Sequence, residues 1–336
     1  MRWLFLLFIV AFGCTPKQQE ITSEQVKLRF GEFETGELIK TKPVDVSATP
    51  IHKKIQNHPD QFKYLERVEV NSMIYQSDGL MVTGFLVKPK NLDANTPVIL
   101  YNRGGNQEYG RLHVGHAVEI LAPLADQGFI VAATNYRGNS GGEGKEQFGG
   151  DDVNDIFNLI DALGQIQHAD TSRVGLFGLS RGGMMTYLAL RQDRRHKIDA
   201  VANLGGITDM RKTVEYHPEI GAVCQELIPG FVENQEDLLD SRSAVKWAHE
   251  LPKDVPMLII HGTEDQSVTY LQIPDFVNRI RTEEIPYRAI IYEGDNHGCR
   301  NHQSEVLSHL QTWFSERLIE EQPYQEQVFE MISEGT

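Results

Sequence analysis

Residues Arg173-Val-Gly-Leu-Phe-Gly-Leu-Ser-Arg-Gly-Gly-Met-Met-Thr-Tyr-Leu-Ala-Leu-Arg191 decide how this chain is read. The run Arg173 to Phe177 is short and apolar enough for a buried strand, and Met184 to Arg191 is rich in helix formers. Between them stands Gly178-Leu-Ser-Arg-Gly182, a G-x-S-x-G turn in the strand-to-helix context that gives this pattern a mechanism. A turn this tight holds its serine at a strained backbone position, and flanking glycines let neighbouring chain approach. Ser180 is therefore expected to stand exposed at the end of a sheet, beside a helix N-terminus.

A hydroxyl is a poor nucleophile at its free pKa; it needs a base, and the base needs an orienting carboxylate. Both follow downstream in the chain order Ser, acid, His. Val255-Pro-Met-Leu-Ile-Ile260 reads as a buried parallel strand, and His261-Gly-Thr-Glu-Asp265 follows it. An acid just past such a strand end is where open α/β sheets place functional groups. Asp265 is the expected carboxylate, with Glu264 its rival. Tyr287 to Tyr292 is the next strand, and Glu293-Gly-Asp-Asn-His297 places His297 on a loop at the same edge as the expected general base. Acyl transfer also needs donors aimed at the developing oxyanion. One is the backbone N–H of Arg181. The other is expected from Gly104 or Gly105, in the Asn102-Arg-Gly-Gly-Asn106 loop after the strand Pro97 to Tyr101. Arg103 has two readings: a planar fork for a substrate carboxylate, or a surface side chain. The mechanism calls for no cofactor, and the chain has no Cys-x-x-Cys or His-Glu-x-x-His metal spacing.

These blocks, with two more, resemble the catalytic domain of the prolyl oligopeptidase family of serine peptidases. Arg103-Gly-Gly-Asn106 is similar to the family's His-Gly-Gly-Pro oxyanion loop, with Arg and Asn in the outer positions. Asn135-Tyr-Arg-Gly-Asn-Ser-Gly-Gly142 resembles its Arg-Gly-Ser-Gly-Gly loop. Gly178 to Gly183, Ser241-Arg-Ser-Ala244 with Val255 to Asp265, and Gly294-Asp-Asn-His-Gly298 resemble the nucleophile, acid and histidine blocks. The resemblance runs over roughly residues 65 to 320. It implies an α/β-hydrolase fold and a Ser180–Asp265–His297 triad acting through an acyl-enzyme, with a peptide as substrate. The propeller that full-length members carry in front has no counterpart here, so a carboxylesterase acting on small esters stands as the alternative. A non-catalytic binding lipoprotein is the third reading, against which all three triad residues are present.

The chain has 336 residues, 40% hydrophobic and 24% charged, with a formal net charge of −15. That suffices for one substantial core, and without a basic stretch it argues against nucleic-acid binding. Arg2 followed by the apolar run Trp3 to Phe12 has signal-peptide length and is too short to span a bilayer. Ala11-Phe12-Gly13-Cys14 resembles a bacterial lipobox, which implies cleavage before Cys14, a lipid on its thiol and a periplasm-facing membrane anchor in the cell envelope; plain secretion is the alternative. Cys224 and Cys299 are open to pairing in an oxidising compartment or to being free thiols.

The expected organisation is a signal peptide at 1–13, a tether or lead-in at 14–60, a catalytic domain at 61–322 and a tail at 323–336. Thr41 to Pro50 reads as an extended linker. Strands are expected at 68–75, 80–88, 98–101, 129–133, 173–177, 200–204, 255–260 and 287–292. Helices are expected at 116–127, 151–163 and 184–191. This alternation predicts an α/β fold with a mostly parallel central sheet and helices on both faces. Asp152 or Asp155 is expected to pair structurally with Arg137. Residues 206–250 break the rhythm as a cap insertion, where Glu215, Glu219 and Glu226 either bind a substrate amine or form a solvated helical face.

Overall fold

The computed structural model describes residues 33–333, apart from 93 and 196. The expected signal segment and Cys14 lie outside the described residues. Among those described, no helix is long and apolar enough to cross a membrane.

Among the described residues ten strands form one sheet: β1 (Leu38–Pro43), β2 (Val68–Ser77), β3 (Leu80–Pro89), β4 (Thr96–Asn102), β5 (Ile130–Thr134), β6 (Ala169–Leu179), β7 (Ile198–Leu204), β8 (Met257–Gly262), β9 (Tyr287–Tyr292) and β10 (Gln327–Ile332). Their spatial order is β1-β2-β3-β5-β4-β6-β7-β8-β9-β10. β1, β2, β3 and β5 pair antiparallel in turn, and every pairing from β5 to β10 is parallel.

The parallel strands are apolar on both faces because both faces are covered. On one face Val98, Leu100, Leu176, Val201 and Ile259 pack under helices Asn154–Leu163 and Arg181–Gln192. On the other, the alternate residues Ile99, Tyr101, Phe177, Ala202 and Ile260 meet Leu121, Leu124, Leu310 and Trp313. The period of two thus supplies two cores from single strands. Each fully buried Leu or Ile contributes about 2 kcal/mol of transfer free energy.

Parallel pairing also aligns the C-terminal ends of the strands. Asn102, Leu179, Leu204, Gly262 and Tyr292 all close β4, β6, β7, β8 and β9 at one edge of the sheet. The expected site residues follow directly from these ends.

The largest differences from expectation lie at the ends of the sheet. The expected tether or lead-in at 14–60 contains β1, which overlaps the supposed linker at 41–43 and pairs with β2 from Leu38↔Tyr75 to Pro43↔Asn71, and a short helix His52–Asn57 follows. The sheet therefore begins well before residue 61. The supposed C-terminal tail holds β10, parallel to β9 from Gln327↔Tyr287 to Ile332↔Tyr292. The helix after Ser180 starts at Arg181 rather than 184. The segment between β7 and β8 carries helices Met210–Tyr216, Pro218–Leu227 and Gln235–Asp240. Its Cys224, Leu227, Phe231 and Trp247 belong to the first core, so it is packed into the fold.

Candidate active site

Ser180 links β6 to its helix with φ 59° and ψ −124°, a region nearly reserved for glycine. Three backbone bonds hold it there: Ser180 N–H donates to Leu204 O at 3.1 Å, and Ser180 O accepts from Gly183 at 2.9 Å and Ile207 at 3.2 Å. The glycines follow from close packing. A Cβ on Gly182 would overlap the Asn102 carbonyl oxygen, and one on Gly178 would overlap the carbonyl of Gly182. Ser180 Oγ has no hydrogen-bond partner among the described residues.

The acid and histidine loops meet at the same edge. His297 Nδ1 lies 2.7 Å from Asp265 Oδ2, and Asp265 Oδ1 accepts from the N–H groups of Ser267 and Val268, both at 2.8 Å. The carboxylate is buried, while the His297 side chain is 26% exposed. Burial works against ionisation of Asp265, but the His297 hydrogen bond and the neighbouring histidines outweigh it and hold its carboxyl below the usual range. Glu264 is exposed on the outer side of the turn, which removes it as the rival. A Cβ on Gly205 would sit 3.1 Å from His297 Nδ1 and 3.2 Å from Asp265 Oδ2, so the pair rests against the end of β7.

Two histidines outside the sequence reading support this pair. His261 is fully buried; its Nε2 reaches Val268 O at 2.8 Å and Asp265 Oδ2 at 3.3 Å. His302 Nδ1 bonds Asp295 Oδ2 at 2.7 Å and stacks on Tyr292, bracing the loop that carries His297. The His-Gly-Thr-Glu-Asp spacing was the one available signal for the first; nothing in the sequence flags the second.

Gly104 lies against the serine, where an added Cβ would come within 3.0 Å of Ser180 Cβ. The backbone N–H groups of Gly104, Gly105 and Arg181 have no acceptor among the described residues. Arg103 corrects both of its readings. It is 1% exposed, and its five N–H groups all go to backbone carbonyls: Asn135 twice, Gly104, Gln107 and Tyr109, at 2.9–3.2 Å. No donor is left for a substrate carboxylate, so Arg103 shapes the loop from inside. The Arg181 side chain is also buried, between the rings of Tyr136 and Phe148.

Arg137 pairs with Asp155 at 2.8 Å and with Asp78 at 2.7 Å, whereas Asp152 pairs with Arg181 at 2.6 Å. Glu215 is exposed, Glu219 bonds His217 at 3.1 Å, and Glu226 accepts from Gln107 Nε2 at 2.7 Å. All three are exposed, as a solvated helical face would have them. Cys224 and Cys299 are both free and lie in the cores on opposite faces of the sheet, so they form no bridge. Burial pushes the thiols up, to about 11 and about 12.

Comparison with known proteins gives one consistent picture. Residues 116–320 match the model of the prolyl oligopeptidase family. The chain is 32% identical over 204 residues to an uncharacterized peptidase, YtmA, of Bacillus subtilis, covering 61% of this chain and 76% of that protein. It is 27% identical to dipeptidyl-peptidase 5 of Porphyromonas gingivalis, over 69% of this chain and 35% of that one. The structure of an acylaminoacyl peptidase from Pyrococcus horikoshii superposes with a TM-score of 0.63 at 23% identity, covering 77% of this chain and 43% of that one. The chain thus spans less than half of the two latter proteins.

Proposed function

The chain belongs to the prolyl oligopeptidase family, and from that premise we propose that it is a serine peptidase whose triad is Ser180, Asp265 and His297. The observation that carries the assignment is the 2.7 Å bond between buried Asp265 and partly exposed His297, at the sheet edge where Ser180 is held in a strained turn. Ser180 Oγ attacks the carbonyl carbon of a peptide bond, and His297 Nε2 takes its proton. Asp265 keeps the imidazole proton on Nδ1 and stabilises the imidazolium that forms. The N–H of Arg181 and those of the Gly104–Gly105 loop receive the oxyanion. Collapse expels the amine, which leaves with the proton from His297. Water, activated by the same histidine, then releases the acyl group. The Ser180–His297 hydrogen bond forms when substrate is bound, since catalytic hydrogen bonds in apo sites are commonly long or unmade.

The lipid anchor at Cys14, and with it a periplasm-facing address, remains part of the proposal on the strength of the lipobox-like sequence. The test compares wild type with Ser180→Ala on aminoacyl- and dipeptidyl-nitroanilides and on p-nitrophenyl acetate. Amide turnover that disappears in the variant is expected. Turnover of the ester alone would reassign the site as an esterase, and amide turnover surviving in Ser180→Ala would remove the triad.

A further inference from the structure

Four ionised side chains cluster beneath the nucleophile turn with almost no contact with solvent: Arg103, Arg181, Glu146 and Asp152, each 2% exposed or less. Burying charges is costly, and a buried ion cluster is weak evidence of a stabilising role. The geometry of Glu146 suggests another one. Its Oε1 accepts from the backbone N–H of Gln107 at 2.5 Å, and its Oε2 accepts from Arg181 Nη1 at 2.8 Å and Asn139 Nδ2 at 3.0 Å. One carboxylate thus joins the loop after β4, the loop after β5 and the first residue of the nucleophile helix. Arg181 completes the clamp, because the same Nη1 donates to Gly105 O at 3.1 Å.

The loop after β4 is held by polar bonds more than by apolar packing. Tyr109 is 79% exposed, and Gln107 sits at φ 47°, a left-handed position that a glutamine takes only when its surroundings impose it. Its contacts are polar: the Arg103 fork on its carbonyls, Glu146 on the Gln107 N–H, and bonds farther from the glycines from Gln107 Nε2 to Glu226 and from the Ser140 N–H to Glu108. We propose that Glu146 is a positioning residue that holds the Gly104–Gly105 loop in register with the Arg181 N–H, so that the two sides of the oxyanion hole form together. The proposal rests on the serine peptidase reading above. A displacement of an ångström in such donors suffices to cost about a hundredfold in rate.

The test measures wild type, Glu146→Gln and Asp155→Asn on an aminoacyl-nitroanilide, with rates divided by the sites that a fluorophosphonate titrates and with Tm recorded alongside. Asp155 serves as the control because its ion pair with Arg137 is also buried and touches neither oxyanion segment. Glu146→Gln is expected to lower kcat per titrated site by 10- to 100-fold with KM within threefold of wild type, whereas Asp155→Asn lowers Tm and leaves kcat per site unchanged. If Glu146→Gln fails to fold, Glu146→Asp, which keeps the charge but withdraws it from the Gln107 N–H, is read in the same way. A Glu146 variant that keeps kcat within threefold overturns the proposal, as does one that changes only KM or an equal loss of kcat in Asp155→Asn. A wild type that neither labels nor turns over would overturn the peptidase reading and this proposal with it.

Discussion

Replacing Asp265 with asparagine keeps the shape of the site and changes one proton. Asp265 Oδ1 accepts two backbone N–H bonds, from Ser267 and Val268, at 2.8 Å each. An asparagine keeps those two bonds only by placing its oxygen there, which turns its NH2 group toward His297 Nδ1. That nitrogen must then become an acceptor, so the imidazole proton moves to Nε2, the atom that has to receive the Ser180 proton. The general base is left in the wrong tautomer. Where this exchange has been characterised in a serine protease, kcat falls by roughly four orders of magnitude. At about 1.36 kcal/mol per decade, that is roughly 5 kcal/mol of lost transition-state stabilisation. The assay is kcat on an aminoacyl-nitroanilide at neutral pH, with near-UV circular dichroism showing that the tertiary structure is kept. A well-folded Asp265→Asn protein retaining kcat within tenfold of wild type would refute the tautomer argument.

Further predictions follow from strain, thiol burial and the acid groups. Ser180→Gly removes a non-glycine residue from φ 59°, ψ −124°; relief of about 1–3 kcal/mol of strain exceeds the 0.5–1 kcal/mol entropy penalty of glycine, so Tm should rise by about 2–3 °C while activity is abolished. A fall in Tm would contradict the strain. Mass-mapped alkylation under native conditions should leave Cys224 and Cys299 unmodified, and both should react once the chain is denatured; rapid native labelling would contradict their burial. Asp265 and Glu146 are opposed by burial, yet His297 and Arg181 respectively hold both below their ordinary values. Since unfolded carboxyls titrate near about 4, the stability these two contribute is complete above about pH 5 and is lost as pH falls below about 4 toward the depressed values. Urea unfolding between pH 3 and 7 should show a shallower acid-side loss in Glu146→Gln than in wild type; equal slopes would contradict the assignment.

Much of this architecture was legible in the sequence because buried parallel strands leave a strong mark. Pro97 to Tyr101 and Val255 to Ile260 read as unbroken apolar runs, and the proposed triad residues follow such strands within a few positions. The edges were harder. β1, Leu-Ile-Lys-Thr-Lys-Pro, is mostly exposed, and β10 alternates exposed and half-buried residues, so neither has the apolar continuity of a covered strand. The roles of charged loop residues were not legible at all. Arg103 is turned inward by four carbonyls, three from its own loop and one from Asn135, which no local pattern encodes. Glu146 stands in a glycine-rich loop with no periodicity, and only the fold brings it to Arg181. Whether Cys224 and Cys299 pair is not legible in the sequence, because their separation by the sheet is a tertiary fact.

The central claim is that Ser180 is the nucleophile of an assembled triad, and its most direct test is reaction of the protein with a fluorophosphonate followed by peptide mapping. The account predicts one adduct per chain, on Ser180, formed in the native protein and lost in His297→Ala. An adduct at another residue, or none in native wild type, would contradict it.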